Sequence, residues 1–301
     1  MRIPIFQQID ELHHATETLQ QTVWNDFHIY RNEDANETCV STMEPHRCNF
    51  FQLSIDLRSD YALWHNAQQL HTTDNTIYCT TADTLISWKA SHTAKIWKGY
   101  NINFKQELLS AGVNNYNFRA AFPYLHSKGI SWMQLPAGNE QVYELCERML
   151  YEQQHAARDI NIIRHYLFAL LYTLKRVYTQ QYPIPQQQPL SREAELAGHF
   201  EDLVNKFYLE YKSLDNYASR LFVSPKYLTQ VTKNIYGKTA KEMILHRTAE
   251  EAKSLLVQTN ETISQIASRL SFTDTSNFIK FFKRLTGQGP SEYRQSRNFL
   301  P

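Results

Sequence analysis

Residues 261–287, ETISQIASRLSFTDTSNFIKFFKRLTG, contain two short helical patterns joined by a tight turn. Apolar residues recur at three- and four-residue spacing in each half, which is the spacing of one buried helix face. They are Ile263, Ile266, Ala267 and Leu270, followed by Phe278, Phe281, Phe282 and Leu285. Asp274 stands where a helix N-cap would be, and Gly287 can supply the left-handed stop. The stretch therefore predicts a helix-turn-helix unit.

The same pattern occurs a second time, about fifty residues earlier. Leu214, Tyr217, Ala218 and Leu221 stand 49 positions before the first apolar set. Leu228, Val231, Ile235 and Gly237 stand 50 positions before Phe278, Phe281, Leu285 and Gly287. The offset changes inside the turn, where an insertion disturbs packing least. Ser224 and Pro225 suit the N-cap and first helical position of the later helix. We therefore expect two helix-turn-helix units, at 214–236 and 262–286.

The segment between the two units, residues 239–258, has a helical period and contains no Gly or Pro. Its periodic residues are Met243, Ile244, Arg247, Ala252, Leu255 and Leu256. Twenty helical residues would span about 30 Å. Major-groove faces on one side of B-DNA recur every ~34 Å. A stiff helix of this length would let one chain place two reading helices in neighbouring grooves.

Residues 196–301 resemble the DNA-binding domain of the AraC/XylS family of bacterial transcription regulators. The motifs that carry the resemblance are Ile263-xx-Ile-Ala-xx-Leu-x-Phe272, Phe278-xxx-Phe-Lys-Arg-xx-Gly287 and Gly289-Pro-Ser-x-Tyr-Arg294. Ser271 departs from the pattern, because the family usually has Gly before Phe272, and we expect strain in that turn. Thr232 also departs, because an aromatic residue usually precedes Lys233.

The resemblance implies an all-α C-terminal domain of about seven helices that binds double-stranded DNA, in a transcription regulator that forms a homodimer. RNA polymerase is then a further candidate partner. The second helix of each unit would contact bases with residues off its apolar stripe and near its start. These candidates are Pro225, Lys226, Thr229 and Gln230 in the first unit, and Thr275, Ser276, Asn277 and Lys280 in the second.

The chemistry of these side chains suits DNA. Gln230 and Asn277 match adenine edges, and a lysine matches guanine or phosphate. The phosphate candidates are Lys233, Arg247, Lys283 and Arg284. For Arg247 an internal ion pair is the alternative, and for each lysine the alternative is an ordinary solvated surface.

Charge is unevenly distributed along the 301 residues, although the formal net charge is only +1. Residues 195–301 contain 15 Lys/Arg against 11 Asp/Glu, whereas residues 1–194 contain 16 against 19. The basic part is the part with the helix-turn-helix units, which agrees in sign with phosphate binding.

Three features of the sequence indicate the cellular location of the protein: the four cysteines, the N-terminal residues and the hydropathy pattern. Cys39, Cys48, Cys79 and Cys146 form no C-x-x-C pair, which favours reduced thiols over a disulfide framework. The chain has no charged-then-apolar signal at its start and no run of eighteen apolar residues. We therefore expect a cytoplasmic protein with no membrane partner.

Residues 1–138 have the alternation of β-strands. Phe51, Leu53, Ile55 and Leu57 alternate with polar residues, as do Tyr100, Ile102 and Phe104. Shorter candidates are 27–30, 77–79 and 85–88. Several short strands predict an antiparallel sandwich or barrel. The resemblance implies a cupin-like (jelly-roll) sensor domain for a small-molecule effector, and hence an α+β multidomain fold.

Between 139 and 180 the pattern becomes helical. The apolar stripes are Val142, Leu145 and Met149, then Ile160, Ile163, Leu167, Leu170, Leu171 and Leu174. Two interpretations stay open: both helices pack on the sheet, or part of the stripe forms a homodimer interface, as the resemblance implies. Residues 181–195 begin with the proline- and glutamine-rich QYPIPQQQPL, which is typical of a linker.

Catalytic and metal-binding motifs are sparse. No H-x-H pair occurs, and no glycine-rich phosphate loop is present. His46-Arg-Cys48 has ligand-capable ends, but a strand commonly places two such residues on one face by chance. We therefore expect no enzyme, no cofactor and no metal. The tryptophans (Trp24, Trp64, Trp88, Trp97 and Trp132) suit a pocket for a small organic ligand or a sugar face, or simply a core, and no effector-binding residue is assigned.

The sequence thus predicts a DNA-binding transcription regulator controlled by a small-molecule effector. Two alternatives remain: an effector-independent dimeric DNA-binding protein, and a metal-dependent cupin enzyme fused to a DNA-binding module.

Overall fold

The computed structural model describes residues 3–18, 22–35, 40–59, 61–81, 84–90, 97–110, 121–125, 132–182, 192–211 and 213–296. The chain forms two compact units. The N-terminal unit consists of Arg2–His65 and Gln69–Ile184, and the C-terminal unit contains Pro185–Pro301. The interdomain linker predicted at 181–195 lies mostly outside the described residues, and a helix is already present at Arg192.

The N-terminal unit is built on two five-stranded sheets, with strand orders β1-β3-β8-β5-β6 and β10-β7-β4-β9-β2. The strands are β1 (Ile5–Phe6), β2 (Phe27–Arg31), β3 (Thr42–Cys48), β4 (Phe51–Arg58), β5 (Tyr61–His65), β6 (Gln68–His71), β7 (Thr76–Thr80), β8 (Ile86–Ala90), β9 (Lys98–Phe104) and β10 (Trp132–Gln134). Every neighbouring pair in the second sheet is antiparallel among the described strands. Short helices α1 (Ile9–Ala15), α2 (Asn32–Ala35) and α3 (Gln106–Ser110) lie between strands.

One face of the second sheet is apolar and packs against two long helices, α4 (Glu140–Gln154) and α5 (Ile160–Gln181). Leu53 and Ile55 of β4 and Ile102 of β9 are buried in this core. The helices contribute Val142, Cys146, Met149, Ile163, Leu167, Leu170, Leu171 and Leu174. Because alternate strand residues point to opposite faces, the apolar residues of the sequence pattern meet the helices. This packing is the first of the two interpretations of the helical stripe.

A hydrogen-bonded cluster joins α4 to the sheet at the edge of that core. The Arg31 guanidinium donates to Glu147, with Nε 3.0 Å from Oε1 and Nη2 2.5 Å from Oε2. The Tyr100 hydroxyl donates to the same carboxylate. Gln153 adds two bonds to the backbone of Ile29, accepting from its N–H at 3.0 Å and donating to its carbonyl at 2.9 Å. These bonds fix the position of α4 along β2.

The C-terminal unit has seven helices among its described residues. They are α6 (Arg192–Phe207), α7 (Leu214–Arg220), α8 (Pro225–Tyr236), α9 (Ala240–Gln258), α10 (Ile263–Arg269), α11 (Thr275–Thr286) and α12 (Pro290–Ser296). Helix α9 contacts α6, α8, α10, α11 and α12, and its buried residues lie around most of its circumference, as expected for a central helix. The α+β two-domain fold class predicted from the sequence is confirmed.

The buried face of the two reading-helix candidates differs from the expected stripe at one position in each. Ile235 and Leu285 are expected on the apolar stripe, but they are 39% and 41% exposed. Thr232 and Phe282 are fully buried, beside Val231 and Phe281. The last turn of α8 still contacts α6, because the Tyr236 hydroxyl donates to Glu201 Oε2 at 3.2 Å. Thr232 satisfies its hydroxyl locally, because Oγ1 donates to the Thr229 carbonyl at 3.1 Å.

Candidate nucleic-acid interface and interior cavity

The second helix of each helix-turn-helix unit begins at a side-chain cap. Ser224 Oγ accepts from the N–H of Tyr227 at 3.2 Å, and Pro225 occupies the first helical position. Asp274 Oδ1 accepts from the N–H of Asn277 at 2.7 Å. Each cap satisfies one backbone donor that the helix leaves unpaired. The capping residues Ser224 and Asp274 therefore set where the two helices begin.

The two units also end and turn alike. Gly237 and Gly287 close α8 and α11 in the left-handed conformation, with φ of 67° and 84°. In the turns, Phe222 and Ser271 have φ of 55° and 60°. Residues at equivalent sequence positions thus adopt the same uncommon backbone conformation. For Ser271 the positive φ is the physical reason that glycine suits this position.

The one-residue change of offset can be assigned to Thr273. The N–H of Val223 donates to the Ala218 carbonyl at 3.0 Å, and the N–H of Phe272 donates to the Ala267 carbonyl at 3.0 Å. These pairs are 49 positions apart, whereas the caps Ser224 and Asp274 are 50 apart. Thr273 is therefore the inserted residue, between the turn and the cap.

The repeat extends into the start of the helix that follows each unit, beyond the two copies predicted from the sequence. Thr239 and Glu242 form a capping box at the start of α9, with the Thr239 N–H 2.7 Å from Glu242 Oε2. Fifty positions later, the Gly289 N–H donates to Glu292 Oε2 at 2.8 Å. The signal in the sequence is a glutamate three residues after each cap position. Each copy consists of three helices.

The candidate base-contacting residues lie in the first turns of α8 and α11. Lys226, Gln230, Ser276, Asn277 and Lys280 are exposed, and Pro225, Thr229 and Thr275 are half-buried. The side-chain amide of Asn277 also donates to the Asp274 carboxylate. Contacts of these residues with DNA stay predictions.

Three of the four phosphate candidates, Lys233, Lys283 and Arg284, are exposed in the last turns of the same helices. The fourth, Arg247, is engaged within the domain. Its guanidinium lies 4.2 Å from the centre of the Tyr208 ring, and Nη1 is 3.2 Å from Glu251 Oε2. This arrangement corresponds to the ion-pair alternative for Arg247, and its contact with phosphate stays a prediction.

A second candidate site is a cavity of about 120 Å³ in the N-terminal unit, lined by residues of both sheets. Its polar lining includes His46, Gln52, Ser54, Thr80 and Asn101, and its aromatic lining includes Tyr61, Tyr78, Trp88 and Trp97. The sequence signal for the polar side was the asparagines within β9, since Asn is depleted in strands.

The residues that the structure describes contain neither a metal-binding cluster nor a membrane-spanning helix. No group of three His, Cys, Asp or Glu side chains in these ranges is arranged to hold a metal ion. None of their helices combines the length and apolar character needed to cross a membrane.

The capped, duplicated helix pairs around a central helix define a double helix-turn-helix domain, a class that binds DNA. Residues 217–296 match the family model described as a helix-turn-helix domain. The C-terminal unit is an AraC-type helix-turn-helix domain, which confirms the resemblance found in the sequence.

Several characterised and uncharacterised regulators are similar to this chain. The HTH-type transcriptional regulator YtdP of Bacillus subtilis is 26% identical over 199 residues, which are 65% of this chain and 24% of YtdP. The bifunctional transcriptional activator/DNA repair enzyme AdaA of the same organism is 31% identical over 113 residues, 38% of this chain and 52% of AdaA. The chain thus spans about a quarter to about half of the length of these relatives. Among solved structures, the C-terminal domain of AraT, a response regulator from Geobacillus stearothermophilus, has a TM-score of 0.34 and 27% identity, covering 36% of this chain and 92% of that domain.

Proposed function

We propose that the chain is a sequence-specific DNA-binding transcription regulator of the AraC type, acting on DNA in the cytoplasm. The observation that carries the proposal is the pair of helices α8 and α11, which share caps, turns and C-terminal stops but present different side chains. Lys226 corresponds to Ser276 at an offset of 50, and Gln230 corresponds to Lys280. Two helices of one shape and different surface chemistry would read two different half-sites.

The proposed division of roles follows from position along each helix. Side chains in the first turns would reach base edges, and those in the last turns would reach the backbone. Lys233 and Lys283 correspond at an offset of 50, and both are exposed. An unchanged charge at this position suits a phosphate contact, which carries no sequence information. Helix α9, with 19 residues, would span about 28 Å between the units.

We further propose that a small-molecule effector occupies the cavity between the two sheets. Such a ligand regulates DNA binding only if it binds one arrangement of the chain better than another. A homodimer involving residues 139–180 and a contact with RNA polymerase complete the proposal. The exposed side chains Tyr151 and Tyr172 of α4 and α5 support a role for this helix pair in contacts with another chain.

The test of DNA recognition is the double variant Lys226→Ala with Lys280→Ala. Duplexes are first selected from the host genome with the purified full chain, and affinity is then measured by fluorescence anisotropy at several salt concentrations. We expect weaker binding of the selected duplex and a smaller ratio of its affinity to that of an unrelated duplex, because base contacts carry the sequence information and phosphate contacts do not.

The matched control is Lys89→Ala with Lys98→Ala. Both lysines are exposed on strands of the N-terminal unit, so this variant loses the same charge without touching α8 or α11. Equal losses of affinity in the two variants would show a general charge effect and refute the assignment of the reading helices. Effector control is tested separately, by comparing affinity for the selected duplex with and without each compound of a metabolite panel.

A further inference from the structure

The exposed face of α11 carries one side chain that differs in chemistry from its neighbours. The spacing i, i+3, i+4 and i+7 places four residues on this face, namely Ser276, Ile279, Lys280 and Lys283. All four are exposed, and the serine and the two lysines can donate hydrogen bonds. Ile279 cannot, yet its side chain is 40% exposed. The exposed face of this reading-helix candidate therefore contains a purely apolar group between polar ones.

The packing of α11 within its unit does not account for an isoleucine at this position. The helix contacts α9, α10 and α12, and its buried residues are Phe278, Phe281 and Phe282. Isoleucine is also a weaker helix former than alanine, leucine or lysine, because its β-branched side chain loses rotamer freedom in a helix. Neither the core of the unit nor helix propensity therefore explains Ile279, and a contact outside the chain is the remaining role.

The two copies of the repeat differ at this position. At the offset of 50, Ile279 corresponds to Thr229 of α8, whereas Lys283 corresponds to Lys233. Thr229 is half-buried, and its side chain has a hydroxyl group as well as a methyl group. A residue that is the same in both copies suits the phosphate backbone, which is the same in every sequence, and a residue that changes suits base edges, which differ. Ile279 therefore occupies a position where sequence specificity is expected.

The surroundings of Ile279 favour DNA over an apolar protein surface as the partner. Helix α11 contains Lys280, Lys283 and Arg284 and no Asp or Glu. Lys283 lies one turn after Ile279, about 6 Å along the helix axis. At that distance its ammonium group can contact a phosphate while the earlier residue reaches into the groove. An apolar partner would have to cover three neighbouring cations, whereas the phosphates of DNA neutralise them.

The major groove offers one group that matches an isoleucine side chain. Base edges there present hydrogen-bond donors and acceptors, and among the four bases only thymine also presents a methyl group, at C5. An apolar side chain against a ring nitrogen, a carbonyl or an amino group would leave that polar group unpaired, which weakens binding. Contact between two apolar groups instead removes both from water, which strengthens binding. The chemistry of the position therefore selects thymine.

We propose that Ile279 is a specificity-determining residue of the second helix-turn-helix unit and that it recognises the 5-methyl group of a thymine in the major groove. Ser276 and Lys280, on the same face, contact polar edges of adjacent bases, and Lys283 fixes the register of the helix by contacting phosphate. Discrimination at this base pair comes from one methyl group and not from a hydrogen bond. This inference rests on the proposed DNA-binding function and adds a base preference to α11.

The test removes the methyl group from the DNA. Each thymine of a duplex selected with the full chain is replaced in turn by deoxyuridine, which keeps every hydrogen-bonding group of the base and lacks only the 5-methyl group. Fluorescence anisotropy measures the affinity of the full chain for each duplex. We expect at least one replacement to weaken binding by roughly fourfold, the factor for returning one methyl-sized group to water. The same replacement should leave the affinity of Ile279→Ala unchanged. Binding that no replacement weakens, or equal weakening in both proteins at every position, would overturn the proposal.

Two further variants separate base recognition from a structural role. Ile279→Val keeps both γ carbons and a β-branched side chain in the helix, so the comparison holds even where Ile279→Ala is unstable. It should reduce the loss of affinity on uracil replacement, because the methyl group that reaches furthest is absent. Leu285→Ala is the matched control, since Leu285 is a 41% exposed apolar residue in the last turn of the same helix, and it should leave that loss unchanged. An undiminished loss in both Ile279 variants, or its disappearance in Leu285→Ala, would refute the contact.

Failure of the thymine inference is distinguishable from failure of the proposed function. If the wild-type chain prefers the selected duplex to an unrelated one but no uracil replacement acts through Ile279, only the base assignment is wrong. If the chain prefers no duplex over any other, the regulator proposal fails and the thymine inference fails with it.

Discussion

Replacing Ser271 by glycine is expected to stabilise the C-terminal unit. Ser271 has a φ of 60° in the turn between α10 and α11, and it is exposed. A β-carbon in the left-handed region costs roughly 1–2 kcal/mol. Glycine avoids this cost but loses about 0.5–1 kcal/mol more conformational entropy on folding. The difference predicts a stabilisation of about 0.5–1 kcal/mol. Its N–H bond to the Ser268 carbonyl, 3.0 Å, is retained in the variant.

Thermal unfolding of the full chain measures this effect, with hydrogen exchange of the α10 and α11 amides as the local readout. For a domain of about 100 residues, 0.5–1 kcal/mol corresponds to a rise of roughly 2–8 °C in Tm. DNA affinity should not fall, because no reading residue is changed. Protection of the α10 and α11 amides should increase together.

The matched control is Ser268→Gly, the same substitution at an exposed position within α10. There glycine lowers helix stability, by about 0.5 kcal/mol, so the two variants should move Tm in opposite directions. If Ser271→Gly lowers Tm as Ser268→Gly does, the turn does not hold Ser271 in a strained conformation, and the reasoning from φ is refuted.

Two further predictions concern a cap and the pH dependence of the N-terminal unit. Asp274→Ala removes the acceptor of the Asn277 N–H, so it should lower the free energy of unfolding by about 1 kcal/mol and weaken DNA binding. Asp274→Asn can still cap the helix and should lower the free energy of unfolding less in the same assay. Equal losses in the two variants would contradict the capping role of Asp274. Burial lowers the pKa of His28 to about 3 and the pKa values of His46 and His65 to about 4, so the contribution of these histidines to stability is present above pH 6.5 and is lost as pH falls towards 4. Asp56, whose pKa burial raises to about 6, has the opposite effect below pH 6. Three histidines against one aspartate leave a net excess of two protons in the unfolded state, which predicts a loss of about 2.7 kcal/mol per pH unit between pH 6 and 4.5. Urea unfolding followed by tryptophan fluorescence measures it, and stability that stays constant or rises on acidification would contradict the prediction.

The local features of the C-terminal unit could be read from the sequence, because they depend on residues within a few positions of one another. Ser224 and Asp274 act on the next three residues, and Gly237 and Gly287 end their own helices. The repeat offset of 49 and then 50 also needed no tertiary information. Even the strain at Ser271 follows from the residue type required at one backbone position. Such features are determined by local conformational free energies and short hydrogen bonds.

Other properties depended on which elements meet in space, and the sequence pattern alone did not determine them. Alternation on β4 distinguishes Leu53 from Ser54, but only the packing of α4 and α5 decides that Leu53 faces helices while Ser54 faces a cavity. Burial of Thr232 and exposure of Ile235 depend on how the neighbouring helices pack against α8. Arg247 meets Tyr208 because α6 lies beside α9. The physical reason is that periodicity defines the two faces of an element, whereas the free energy of burying a face depends on its long-range partner.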